Sequence, residues 1–122
     1  MASRRIFQLI PDVKLIALLR NPTERAISHF FHVKRKRRKR RKRLYRESLS
    51  LYEALLAEEK RLLSINKESN YNSDYLQYAY KSRGLYKEQL ERYFKYFPRE
   101  QMLIINSEEF FVQPENTLRQ VF

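Results

Sequence analysis

The sequence predicts an α/β fold with parallel strand pairing, mostly helical, and three observations carry that expectation. Two short apolar runs read as strands, Leu15–Leu19 and residues 102–105 (Met-Leu-Ile-Ile), and the first shows no polar alternation, as expected of a parallel strand covered on both faces. The segments between them show helical spacing, and strands separated by helices argue for parallel pairing. Helix-start chemistry recurs at the right places: Asn21-Pro22, Ser50 with Glu53, and Pro114. Two strands are too few for a stable sheet by themselves, so the sequence reads as a section of a larger domain.

The elements follow in order. Residues 3–10 put Ile6, Leu9 and Ile10 on one side of a short helix that Pro11 ends. The strand over residues 14–19 leads into a helix from Pro22 whose apolar face is Ala26, Ile27, Phe30 and Phe31. Ser50 and Glu53 form a capping box for a further helix, with Tyr52, Leu55, Leu56, Leu62 and Leu63 on its apolar side, fading near Asn66. Residues 66–73 are polar and turn-like, and the aromatic cluster Tyr71, Tyr75, Tyr78 and Tyr80 is not placed by periodicity. Gly84 marks the entrance to a helix with Tyr86, Leu90, Tyr93, Phe94 and Phe97 at helical spacing, ended by Pro98. Pro114 then starts a terminal helix with Leu118, Val121 and Phe122 apolar.

The chemistry concentrates in residues 14–28, a strand that stops at Arg20, turns, and launches a helix. A helix start presents backbone N–H groups and the positive end of its dipole, and an arginine beside it makes a place for a phosphate or sulfate. The plainer alternative is a strand-to-helix turn whose arginine pairs with a carboxylate, and spacing does not separate the two.

Composition narrows the classes. The chain has 122 residues, one glycine and no cysteine. No glycine-rich phosphate loop is possible, nor is a disulfide or a thiolate metal site. His29 and His32 lie three apart on one helix with no third ligand nearby, so no metal site is predicted. No signal-peptide pattern is present and no apolar run approaches the ~20 residues of a bilayer span; with the lack of cysteine this reads as a cytoplasmic protein. The net charge of +12 comes from one place, ten basic residues in a row beginning at Lys34 and ending at Arg43. Taking those ten from the 26 basic residues leaves 16 against 14 acidic ones. The run reads as a solvated insertion or an extension of the preceding helix, and like charges oppose the helix while Lys and Arg propensity favours it. Its functional alternative is sequence-independent contact with a polyanion, nucleic acid or sulfated glycan.

Residues 14–30, KLIALLRNPTERAISHF, resemble the 3′-phosphate-binding segment of sulfotransferases that use 3′-phosphoadenosine 5′-phosphosulfate (PAPS), above all the heparan-sulfate and bacterial carbohydrate-sulfotransferase branch. Ser82-Arg83-Gly84-Leu85-Tyr86 is similar to the family's Arg-Gly-x-Tyr helix entrance, with Phe97-Pro98 following. Residues 102–105, Ser107-Glu108-Glu109 and residues 114–121 resemble its next strand, turn and helix, with Gln113 where the family usually has Asp. The resemblance implies a P-loop-like three-layer domain of which residues 1–122 are a part. It also implies PAPS as co-substrate, its product adenosine 3′,5′-bisphosphate, and a hydroxyl-bearing acceptor, a glycan. By the same resemblance Arg20 and Ser28 hold the 3′-phosphate. Arg25 either points to the same anion or pairs with Glu24 or another neighbour, the structural role being the expectation; Tyr86 either lines the cofactor pocket or, as its helical spacing favours, packs in the core; Glu108 and Glu109 read as a turn- and helix-supporting pair, not catalytic acids. The family's N-terminal loop for the 5′-phosphosulfate, its general base and its late glycine-containing loop have no counterpart here. The expectation is therefore a fragment that grips half of the co-substrate, carries no catalytic residue and is inactive alone.

Overall fold

A computed structural model describes residues 2–35, 47–64 and 77–122. The chain divides into two units: Met1–Asn21 with Tyr86–Phe122, and Pro22–Leu85.

The first unit is built on the two strands. β1 (Leu15–Leu19) and β2 (Met102–Asn106) pair in parallel, with Leu15 opposite Met102 and Leu19 opposite Asn106. Helix α1 (Ala2–Leu9) precedes them, and α4 (Tyr86–Phe94), α5 (Ser107–Val112) and α6 (Pro114–Val121) belong to the same unit. Phe7 of α1 meets Phe97 edge-on at 5.6 Å and Tyr96 at 5.9 Å, which ties α1 to the chain just after α4. Gln101, in a 3-10 turn over Arg99–Gln101, donates to the carbonyls of Pro11 and Val13 and so anchors the approach to β1 beside β2.

Several expectations change here. β1 is not covered on both faces: Leu15, Ala17 and Leu19 are half-buried, while Ile16 and Leu18 are 56% and 54% exposed. The reason is geometric, because side chains alternate across a strand and α1 and α4 flank the Leu15–Ala17–Leu19 side. In α1 the buried residue is Ser3, and Leu9 points to solvent. The Ser107-Glu108-Glu109 turn is the first turn of α5, capped by the Asn106 side chain, which accepts from Glu108 N–H at 3.0 Å. Gly84 lies in a 3-10 turn (Ser82–Gly84) and α4 starts only at Tyr86.

The second unit holds α2 (Pro22–Arg35) and α3 (Leu51–Leu63). Ala26, Phe30 and Val33 of α2, Ala54 of α3 and Tyr80 form its core. The expected capping box is present: Ser50 Oγ accepts from Glu53 N–H, and Glu53 accepts from Ser50 N–H. The expected apolar side of α3 is rotated, however. Tyr52, Leu56 and Leu63 are largely exposed, and the inward face carries Leu51, Ala54, Leu55, Glu58 and Leu62. Glu58 turns inward because its carboxylate accepts the N–H groups of Lys81 and Ser82 at 2.8 and 2.9 Å. Two such bonds compensate the burial of a charge that would otherwise oppose it. The basic run from residue 36 onward, the polar stretch 66–73, and Tyr71 and Tyr75 lie outside the described residues.

Candidate functional site

Arg20 follows β1 directly and is exposed, so the strand delivers its guanidinium to the surface at the carboxyl end of the sheet. Open parallel sheets bind ligands at that end. Arg20 belongs to the first unit. Ser28 stands on the exposed side of α2 in the second unit, about two turns from the helix start at Pro22.

The peptide joining Arg20 to Asn21 is held at both of its polar ends. The Tyr86 hydroxyl donates to the Arg20 carbonyl at 2.8 Å. The Asn21 N–H donates to Glu108 Oε1 at 3.0 Å. Tyr86 is thus the first residue of α4 and a fastening for the turn, not only a packing residue. Glu108 supports a turn as expected, but one 87 residues away in sequence as well as its own. Of the donors at the helix start, Asn21 N–H is committed to this carboxylate, and Pro22 has none.

The half-buried side of β1 borders a cleft of about 250 Å³. Leu15, Ala17 and Leu19 line it together with Tyr86, Leu90 and Tyr93 of α4 and Ile6 of α1. Its lining is mainly apolar.

The second unit contains a buried polar cluster that the spacing of residues did not reveal. The Glu47 side chain is fully buried and receives Arg61 through two bonds, 2.7 and 3.1 Å, and the Tyr80 hydroxyl at 2.7 Å. Burial opposes the charge on Glu47, but the bonds from Arg61, Tyr80 and Leu49 N–H outweigh it and hold the carboxyl below its ordinary range. Burial and the bond to that carboxylate push the Tyr80 phenol well above its ordinary value. Arg61 also lies over the Tyr78 ring at 4.5 Å. Arg25 donates to the Tyr80 carbonyl, which fits the structural role expected for it. His29 meets Tyr80 edge-on at 5.0 Å, and burial, with Arg83 and Arg25 nearby, lowers its pKa to about 4. No helix among the described residues is long and apolar enough to cross a membrane.

A family model of the sulfotransferase domain matches residues 1–122. Among solved structures, a sulfotransferase from Alicyclobacillus acidocaldarius is similar, with 34% identity and a TM-score of 0.75 over 98% of this chain. The chain spans 42% of the length of that structure. None of the curated proteins compared with the chain matches it.

Proposed function

Because the chain belongs to the sulfotransferase domain family, we propose that it serves sulfuryl transfer from PAPS to an acceptor hydroxyl, a carbohydrate, with Arg20 and Ser28 holding the 3′-phosphate. The observation that carries this reading is the strand-Arg-turn-helix over residues 14–28. In it β1 ends at an exposed Arg20 and α2 carries an exposed Ser28. The residue types fit the group: a guanidinium offers a planar fork of donors to phosphate oxygens and a hydroxyl adds one more. Arg20 supplies positive charge and direction, and Ser28 supplies a neutral donor.

In sulfuryl transfer the S–O bond to the phosphate of PAPS breaks, a new S–O bond to the acceptor oxygen forms, and the acceptor proton passes to a base. The residues assigned in this chain bind and orient; none is assigned to proton removal or to charge on the leaving oxygen. The expectation is binding without turnover by these 122 residues alone.

Calorimetric titration with adenosine 3′,5′-bisphosphate tests the assignment. Arg20→Ala is expected to weaken binding by roughly tenfold or more and Ser28→Ala by a few-fold, the range for hydrogen bonds to a charged and a neutral donor. Binding by Arg20→Ala equal to that of the unaltered chain overturns it.

A second reading, polyanion binding through residues 34–43, draws on ten consecutive basic residues. Salt-dependent retention on heparin that disappears when those residues are removed supports it. No retention of the intact chain at low salt ends it.

A further inference from the structure

We infer that Tyr86 and Glu108 are positioning residues for the anion site, acting together on the single peptide that joins Arg20 to Asn21. This inference rests on the proposed role of Arg20. A peptide unit is a rigid plane whose C=O and N–H point in opposite directions. Fastening one end restricts its tilt; fastening both fixes its rotation about the Cα–Cα axis. Here the C=O of Arg20 takes the Tyr86 hydroxyl at 2.8 Å and the N–H of Asn21 gives to Glu108 Oε1 at 3.0 Å.

The plane sets two things at once. It fixes ψ of Arg20, and with the strand holding the residue on its other side this defines the direction in which the Arg20 side chain leaves the backbone. It also fixes φ of Asn21, the residue that passes the chain into Pro22. The fastenings come from two different elements, the first residue of α4 and the first turn of α5. They reach across 66 and 87 residues of sequence. Both elements belong to the same unit as Arg20. Neither fastening side chain needs to touch the anion. Their effect is to keep a long, rotamer-rich arginine pre-aimed, which lowers the ordering cost of binding.

Glu108 suits the task through its acceptor oxygen, not its charge. A carboxylate close to an anion site opposes the anion, so a neutral acceptor of the same shape is expected to serve as well or better.

The experiment compares affinities for adenosine 3′,5′-bisphosphate and adenosine 5′-monophosphate, which lacks the 3′-phosphate, by titration of the full chain. Tyr86→Phe keeps the ring that lines the cleft and removes only the hydroxyl; Glu108→Ala removes the acceptor; Glu108→Gln retains it. Tyr86→Phe and Glu108→Ala are expected to reduce the preference for the bisphosphate roughly two- to tenfold, the range of a single net hydrogen bond. Monophosphate binding and the melting temperature stay near the starting values. Glu108→Gln is expected to keep or raise the preference. In an Arg20→Ala background, Tyr86→Phe is expected to have no further effect on it, which a merely structural role does not produce. If Arg20→Ala weakens the bisphosphate while Tyr86→Phe and Glu108→Ala keep the full preference, the positioning role is overturned and the anion site stands. If Arg20→Ala binds the bisphosphate normally, the site assignment itself falls, and the positioning role with it.

Discussion

Tyr80 donates its phenolic hydrogen to Glu47 across 2.7 Å, and that carboxylate has no exposed side-chain surface. A charged group therefore sits where the second unit packs Phe30 and Ala54, sustained by Tyr80, Arg61 and one backbone N–H. Tyr80→Phe removes one bond to a charge and is expected to cost about 1.5–3 kcal/mol. Arg61→Ala strands the buried carboxylate and is expected to cost about 3 kcal/mol or more; Arg61→Lys loses the fork and recovers only part of it. The Glu47 carboxyl titrates below its ordinary 4.5 in the folded chain. The stability it lends is therefore present above that value and lost as the pH falls below it. Thermal melts of the unaltered chain and Glu47→Gln should differ clearly at pH 7 and converge toward pH 3. A constant difference across that range contradicts the role given to the charged form.

His29 is expected to titrate near pH 4 instead of 6.5, because burial and then Arg83 and Arg25 disfavour its cation. The unfolded chain takes up this proton first, so His29 favours the folded state fully above 6.5 and withdraws that preference as the pH falls toward 4. An NMR titration of the imidazole reads the midpoint directly, and a midpoint at or above 6 shows that the environment is not as described. His29→Phe, which keeps a ring against Tyr80, should flatten the dependence of melting temperature on pH between 7 and 4.

Gly84 meets Pro22 so closely that a Cβ added there would stand 3.0 Å from the Pro22 Cβ. Pro22 is the first residue of α2 and cannot swing away like the tip of a flexible side chain. Gly84→Ala is expected to cost about 1–3 kcal/mol, as overpacking does. Because the displaced residue starts the helix that carries Ser28, the same variant should also weaken binding of adenosine 3′,5′-bisphosphate. A melting temperature at or above that of the unaltered chain counts against this close approach.

What the sequence disclosed was what local chemistry encodes. The run Leu15–Leu19, the Ser50–Glu53 box and Pro114 each announce an element within a few residues, and each element is present. The shape of the candidate site was legible to the same depth: Arg20 at a strand end and Ser28 on a helix. The side chains that fasten it were not. Tyr86 fits the helical spacing of α4 and reads as packing, and nothing near Glu108 says that its acceptor oxygen serves Asn21. Glu58 gives no apolar signal, and the partners that draw it inward, the N–H groups of Lys81 and Ser82, lie 23 and 24 residues on. Hydrophobic periodicity sees apolar faces; it has no term for a carboxylate drawn inward by distant backbone donors.

The parallel pairing of β1 with β2 also imposes an order of events in time. Among the described residues Leu15 pairs with Met102, and the whole segment Pro22–Leu85 is interposed between them. That segment is contiguous and has its own buried core, so it can condense while the ribosome is still adding the residues that complete the sheet. The pairing of β1 with β2 is a contact of high sequence separation and closes after that segment has been made. A slow step in refolding, and vulnerability to self-association before it, are the costs of placing Arg20 at the end of a strand whose neighbour is synthesised so late.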